Sequence, residues 1–250
     1  MSSTAAPANG TPPSDDGAIV VTARGETPGD PAAALNAQTY EVVDSVDRAV
    51  VGPIAIGYEK GLPKPIRSGL HNFLANLTKP VVFANFLLQG KPGKAFETVG
   101  RFAVNSTIGV AGLIDVAKSK PFRLPRRVNG FANTLGFYGI GPGPYLYLPI
   151  IGPSSARDLF GWVLDKSFLP SFAGKPFSDP AYALGTGTVK SLDDRVEFDA
   201  MIRCFRDTGD PYGAERDYYL ARRKAEIDGL HTRDAGRPAP ITTPGCPPPE

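Results

Sequence analysis

Few side chains in this sequence have the type and spacing that catalysis requires. The chain contains two histidines, His71 and His231, and the second lies close to the proline-rich end. No Cys or His spacing suits a zinc site, and the sequence has neither a G-x-S-x-G nucleophile elbow nor a Walker phosphate loop. His71 falls on the polar face of a helical pattern, where a lone histidine is usually a solvated surface residue. We therefore expect no enzymatic activity, no metal and no cofactor.

The densest glycine segment, Gly139-Ile-Gly-Pro-Gly-Pro-Tyr145, has the composition of a phosphate-binding loop. It lacks the chemistry, because Pro142 and Pro144 remove amide donors where such a loop needs them. Alternating Gly and Pro instead predict a stiff, sharply turned loop that leads into an apolar run. An ordinary tight turn between helices is an equally good interpretation of the local chemistry.

Paired carboxylates could also do acid-base work. Asp193, Asp194, Glu197 and Asp199 form an acidic cluster beside Arg195. On a helix, these spacings are more typical of a solvated face than of a catalytic pair.

Charge and cysteine content exclude some classes of protein. The 27 Lys and Arg residues nearly balance the 25 Asp and Glu residues, giving a net charge of +2. Nucleic-acid binding usually needs a concentrated basic face, so we expect no nucleic-acid partner. A disulfide between Cys204 and Cys246 is possible, but two unrelated thiols are the better interpretation of the sequence.

No apolar run approaches the roughly 18–20 residues that a membrane-spanning helix needs. The longest candidates, Pro80–Leu88 and Tyr145–Ile151, are short. The start, MSSTAAPANG, lacks the basic and apolar regions of a secretory signal. We expect either a cytoplasmic protein or a chain whose leader is missing from this sequence.

Composition divides the chain into three parts. Residues 1–29 are rich in Ala, Pro, Ser, Thr and Gly, which predicts a flexible lead. Residues 30–230 show helical periodicity, and residues 231–250 form a proline-rich tail that cannot continue a helix. The fold class is therefore mainly α, with no convincing sheet signal.

The helical pieces are short and separated by proline. The clearest apolar stripe contains Ile66, Leu70, Phe73, Leu74 and Leu77. Lys79-Pro80 ends this helix, and the last regular pieces are expected near residues 183–205 and 214–227. Periodicity alone favours a soluble helical bundle over helices that lie flat in a lipid interface, because amphipathic helices are commoner in cores.

The order of motifs changes that preference. The runs LPKPIRSGLHNFLANLTKPVVFANFLLQGKPGKAFETVGRFAVNSTIGVAGLIDVA and LPRRVNGFANTLGFYGIGPGPYLYLPIIGPSSARD closely resemble the MlaA/VacJ phospholipid-transport lipoprotein family. A weaker resemblance extends from Asp30 to about Leu220. The residues that match family motifs outside the Gly-Pro segment are Asn72, Asn76, Gln89, Arg101, Asn105, Asp115, Arg157 and Asp158.

This resemblance implies a ring-like arrangement of short amphipathic helices in the periplasmic leaflet of the outer membrane of a Gram-negative cell. It also implies a central polar channel for phospholipid, with a trimeric outer-membrane porin and a soluble periplasmic lipid carrier as partners. The Gly-Pro segment would be a hairpin loop and hinge beside the channel, made of Gly136, Gly139, Gly141, Pro142, Gly143, Pro144 and Tyr145.

The sequence departs from the family at several points. Ala33 and Ala37 replace an acidic residue and an arginine of the family pattern, and no lipidation cysteine precedes residue 30. The leading hypothesis is non-enzymatic phospholipid transport. A soluble helical scaffold or adaptor is the alternative, and a lipid-directed enzyme is the third.

Overall fold

The computed structural model describes residues 29–175, 177–237 and 246. The predicted flexible lead falls outside this part of the chain except for Gly29, and so does most of the proline-rich tail. The α-helices are α1 (Ala33–Val46), α2 (Gly52–Gly61), α3 (Lys64–Leu77), α4 (Lys79–Leu88), α5 (Pro92–Thr107), α6 (Phe131–Phe137), α7 (Ala156–Ala173), α8 (Pro180–Glu197), α9 (Asp199–Arg206) and α10 (Pro211–Leu230).

Proline sets several of the helix boundaries. Pro65 and Pro80 lie in the first turns of α3 and α4, where the missing amide hydrogen has no helical partner to lose. The predicted break at Lys79-Pro80 is thus confirmed. Between α1 and α2 the chain continues as a π-helical segment, Asp47–Val51.

The predicted helix near residues 183–205 is two helices, α8 and α9, which meet at Phe198. The change of direction lets the strongly amphipathic α9 bury Met201 and Phe205. The ring of Phe205 lies 5.6 Å from that of Tyr218 on α10. The sequence pattern would allow one continuous helix, but packing against α10 favours two.

A small sheet corrects the expectation of no strands. β1 (Tyr145–Leu148) pairs antiparallel with β2 (Gly152–Ser155), and Tyr145 faces Ser155. The side chain of Asn36 on α1 hydrogen-bonds the carbonyl oxygen of Tyr145 and the amide of Tyr147, both at 3.0 Å. Four-residue strands beside Gly and Pro are too short for sequence periodicity to reveal.

The core is divided into two small clusters. One contains Tyr40, Tyr145, Tyr147 and Tyr212, whose rings meet edge to face. The other contains Val82, Phe86, Ala95 and Ala235. Much of the remaining interior is polar, and several of these buried polar side chains line the candidate site.

The helices form a closed circuit of contacts: α3 packs with α8, α8 with α9, α9 with α10, α10 with α6, α6 with α4, and α4 with α3. The mainly helical fold with a ring-like arrangement of short helices is therefore confirmed. Large apolar side chains remain exposed around it, including Leu35, Phe96, Ile150 and Leu184. None of the helices in the described ranges is long and apolar enough to cross a membrane.

The two cysteines form a disulfide, and the interpretation as unrelated thiols was wrong. Cys204 on α9 bonds Cys246, 42 residues further along the chain. A separation of 42 residues is too long for any local pattern to reveal the pairing.

Candidate functional site

A buried ion pair lies at the centre of the largest group of predicted site residues. Arg101 Nη2 donates to both carboxylate oxygens of Asp115 at 2.7 Å, and Asn105 Nδ2 donates to Asp115 Oδ1 at 2.9 Å. Asn105 Oδ1 also accepts from the amide of Ala117 at 2.9 Å. Burial raises the pKa of Asp115, but the hydrogen bonds from Asn105 and Arg101 outweigh it and hold the pKa below its usual value. Asp115 is therefore a carboxylate in this site.

This ion pair borders a small polar pocket of about 10 Å³, room for one water molecule. The pocket is lined by Asn72, Ala75, Asn76, Lys79, Arg101, Asn105, Asp115 and Arg126. Its charged groups are three cations and one carboxylate. Arg101 Nε and Asn76 Oδ1 are buried with no hydrogen-bond partner among the described residues. The pocket thus has an excess of positive charge and unused hydrogen-bonding capacity.

A larger open cleft of about 350 Å³ adjoins the pocket. It lies between α3 and the segment 113–119, and shares Asn72 and Asp115 with the pocket. Its polar side chains include Ser68, Lys118 and Ser119. A volume of this size is typical of small-molecule sites.

A strained turn holds this segment against α3. Val110, Ala111 and Gly112 have φ values of 52°, 56° and 96°, in the left-handed region. A β-carbon added to Gly112 would lie 2.8 Å from the side chain of Asn76, so close contact also requires glycine there. A β-branched residue such as Val110 is costly in this conformation, and such strain concentrates at functional sites.

His71 connects the pocket to α8. Its Nδ1 lies 2.6 Å from Asp193 Oδ2, and Arg126 Nη1 lies 2.8 Å from its Nε2. Because arginine can only donate, Nε2 accepts and Nδ1–H donates to Asp193. The interpretation of His71 as a solvated surface residue was wrong, since the imidazole ties the acidic cluster to a pocket residue. Elsewhere in that cluster, Asp199 accepts from Arg195 Nη1 at 2.7 Å.

The Gly-Pro loop is a second group of predicted residues. Its backbone is held by Arg157, whose amide donates to Pro142 O at 3.1 Å and whose Nη1 donates to Ile140 O at 3.2 Å. Gly139 and Gly143 have φ values of 86° and 68°. Gly141 has no positive φ, and an added β-carbon would meet nothing within 4 Å.

Close packing, rather than backbone conformation, requires glycine at position 136. An added β-carbon on Gly136 would lie 2.5 Å from Ile227 Cδ1 and 3.1 Å from Arg157 Nη1. Tyr145, at the other end of the loop, is fully buried in the tyrosine cluster. The loop therefore has two fixed ends and an open middle at Gly141.

Asp158 accepts a hydrogen bond of 3.0 Å from Nε of Arg157, the residue that holds the loop. Arg223 Nε donates to its Oδ2 at 2.9 Å, Tyr219 OH donates to the same atom, and Ser155 Oγ caps its amide at 3.2 Å. Burial raises the pKa of Asp158, but the bonds from Arg223 and Tyr219 outweigh it and lower the pKa to about 2. The carboxylate thus links α7 to α10 through these hydrogen bonds.

Gln89 lies apart from both groups. It exchanges hydrogen bonds of 3.0 Å with Asn129 and donates to Thr134 Oγ1 at 2.9 Å. Thr134 Oγ1 donates in turn to Asn85 Oδ1 at 2.6 Å. The predicted residues thus fall into three groups: the pocket, the loop with its support, and this amide network.

Sequence reasoning did not single out Lys79 and Arg126, which complete the pocket. Lys79 was interpreted only as part of a helix break. Its Nζ is buried and donates to Arg127 O at 3.1 Å. Burial, then Arg126 and Arg101, lower its pKa to about 8. The one available signal was the dibasic Arg126-Arg127 within the family-like run.

These features define a class of protein: a helical ring with charged groups inside and apolar side chains on its surface. The chain belongs to the MlaA lipoprotein family, whose sequence model matches residues 28–226. The MlaA lipoprotein of an intermembrane phospholipid transport system in Haemophilus influenzae is 37% identical over 187 residues, which are 73% of this chain and 72% of that protein. The Escherichia coli K12 protein of the same description is 34% identical over 204 residues, 80% and 79% of the two chains.

A solved structure is similar to this chain as well. It is described as "Structural basis for maintenance of bacterial outer membrane lipid asymmetry" and matches with a TM-score of 0.69 and 30% identity. The match covers 78% of this chain and 96% of the other. At this identity the likeness extends to both fold and family.

Proposed function

We propose that the protein is the lipoprotein component of an intermembrane phospholipid transport system and catalyses no reaction. In this role it removes mislocalised phospholipid from the outer leaflet of the outer membrane. The lipid passes through a central polar channel to a soluble periplasmic carrier, beside a trimeric porin. The proposal rests on the family match and on the positions of the charged and apolar side chains in the fold.

The observation that carries this proposal is inverted polarity. Arg101 and Arg127 are each 3% exposed, whereas Phe96 and Leu184 are 69% and 72% exposed. A soluble scaffold would place these side chains the other way round. Apolar side chains on short helices suit an interface with lipid. Charged groups inside suit a headgroup, whose charge is costly to bury in hydrocarbon.

The Cys204–Cys246 disulfide supports a location in the envelope. Disulfides persist in oxidising compartments such as the bacterial periplasm and are rare in the cytosol. We place the protein in the periplasmic leaflet of the outer membrane on this ground together with the family match.

The proposed gate is the open middle of the Gly-Pro loop. A β-carbon added at Gly141 would meet nothing within 4 Å, so we expect Gly141→Val to leave folding intact. It restricts the backbone, and a hinge needs positions that absorb a change in φ and ψ. Gly143→Val adds strain, because Gly143 already has a positive φ.

The function is tested in cells that lack the gene. We expect phospholipid to accumulate in the outer leaflet and detergent resistance to fall, with recovery on expressing the wild-type chain. Gly141→Val should restore neither, at normal protein level. Gly209→Val is the matched control, because Gly209 lies in an exposed bend outside the loop, has no positive φ, and an added β-carbon there would meet nothing within 4 Å. An unchanged outer leaflet after deletion would refute transport, and full rescue by Gly141→Val would refute the hinge.

Membrane flotation separates transport from the scaffold alternative. The proposed protein should float with lipid vesicles, whereas a soluble scaffold should remain at the bottom of the gradient.

A further inference from the structure

The 350 Å³ cleft opens beside apolar surface. Leu113 and Ile114, which line the cleft, are 40% and 56% exposed. Inside the cleft are hydroxyl, amide, carboxylate and ammonium groups, from Ser68, Asn72, Asp115, Lys118 and Ser119. A ligand with one polar end and apolar chains would match both surfaces at once.

The charge behind the cleft is positive. Lys79, Arg101 and Arg126 line the adjoining pocket together with Asp115, and Lys118 lines the cleft itself. The pKa of Lys79 is lowered by burial and then by Arg126 and Arg101, so its cationic neighbours are close enough to oppose its charge. An anion nearby would relieve this repulsion.

One buried donor behind the cleft has no hydrogen-bond partner among the described residues. Arg101 Nε is a buried donor without a partner among the described residues, and such a group costs free energy unless a ligand or water satisfies it. The inner pocket holds about one water, so it cannot take a phosphate. A phosphate must lie in the outer cleft, with a bridging water as the link to the inner cations.

We propose that the cleft between α3 and residues 113–119 binds the phosphate of a glycerophospholipid headgroup, with Lys118 and the hydroxyls of Ser68 and Ser119 as its direct donors. The acyl chains lie along the neighbouring apolar side chains. The proposal rests on phospholipid transport as the function and names the place where the cargo is recognised.

Filling the cleft tests the site. Gly69 lines it, and an added β-carbon would lie 3.7 Å from Leu113, an ordinary contact. Gly69→Leu therefore keeps the helix and occupies the space of the headgroup. Gly57→Leu is the matched control, because it adds the same side chain to a helical glycine with nothing within 4 Å.

Binding is measured with the full chain in non-ionic detergent, by calorimetric titration of dihexanoylphosphatidylethanolamine. We expect Gly69→Leu and Lys118→Met each to raise the Kd about tenfold or more, since a charge-assisted hydrogen bond or the whole site is lost. Gly57→Leu and Lys60→Met, which alters an exposed lysine on α2, should leave the Kd unchanged. Lys118 is exposed, so its variant stays informative if Gly69→Leu does not fold.

Three further probes identify the ligand. Dihexanoylglycerol lacks the phosphate and should not compete with dihexanoylphosphatidylethanolamine for binding. Glycerophosphoethanolamine, which lacks the acyl chains, and inorganic phosphate should compete with it only weakly. Competition by inorganic phosphate as strong as that by the lipid would overturn a lipid site. Wild-type Kd values in both cleft variants would overturn the cleft while leaving transport intact. No lipid binding by the wild-type chain, together with an unchanged outer leaflet after gene deletion, would overturn the proposed function as well.

Discussion

Glu215 on α10 offers the sharpest test of the buried electrostatics. Its carboxyl group lies beside Tyr147 of β1, which shares a hydrogen bond with it, and near Asp44 and Arg206. Burial and repulsion by Asp44 raise its pKa from 4.5 to about 7, and the Tyr147 bond and Arg206 only partly offset them. The folded protein therefore binds this proton more tightly than the unfolded chain.

The direction of the pH dependence follows. The folded-state pKa lies above the unfolded value, so the contribution to stability is complete below pH 4.5 and is lost as pH rises through about 7. At 1.36 kcal/mol per pKa unit, the loss amounts to about 3 kcal/mol. Glu215→Gln keeps the size and hydrogen-bonding capacity of the side chain and removes the ionisation.

The assay is denaturant unfolding of both proteins at pH 5 and pH 8. We expect similar free energies of unfolding at pH 5, and a variant that is about 3 kcal/mol more stable than wild type at pH 8. Glu41→Gln, at an exposed position on α1, is the matched control for replacing one surface carboxylate by an amide. Parallel pH profiles for wild type and Glu215→Gln would refute the reasoning.

Three further substitutions test other contacts. Gly112→Ala brings a β-carbon to 2.8 Å from Asn76, and should lower the free energy of unfolding by about 1–3 kcal/mol, measured by denaturant titration. Asp158→Asn should lower the free energy of unfolding at pH 7 by at least about 2 kcal/mol, because the folded-state pKa of about 2 lies below the ordinary value of 3.8. In thermal melts, the melting temperature of wild type should fall between about pH 4 and pH 2, and this fall should be absent from the variant. Cys204→Ser opens a 42-residue loop to Cys246 and should cost about 4 kcal/mol, with no further loss on adding reductant.

Local patterns in the sequence predicted several of the helices, but not the break between α8 and α9 at Phe198. Stripes such as that on α3, and breaks such as Lys79-Pro80, depend on residues within a few positions of each other. Arg101, Asn105 and Asp115 match family motifs within one stretch of chain, and the structure brings their three side chains into contact.

Contacts between distant segments could not be predicted in this way. The His71–Asp193 pair joins residues 122 apart, and no local pattern encodes which acidic residue a histidine will meet. The sequence pattern marked Lys79 only as part of a helix break, and a lysine is rarely buried. The disulfide of Cys204 likewise joins residues 42 apart in the chain. The predictions for the ends of the chain lie mostly outside the described residues.

The exposed apolar side chains, among them Phe96, Ile150 and Leu184, have a thermodynamic consequence. Lipid that binds this surface only in the folded state stabilises the fold by RT ln(1 + [L]/Kd), about 2.7 kcal/mol at a hundredfold excess over Kd. The free energy of unfolding is then not a constant of the chain but a function of the lipid around it. Under the proposed function, the protein is most stable in contact with the membrane and loses part of that stability when it moves into water.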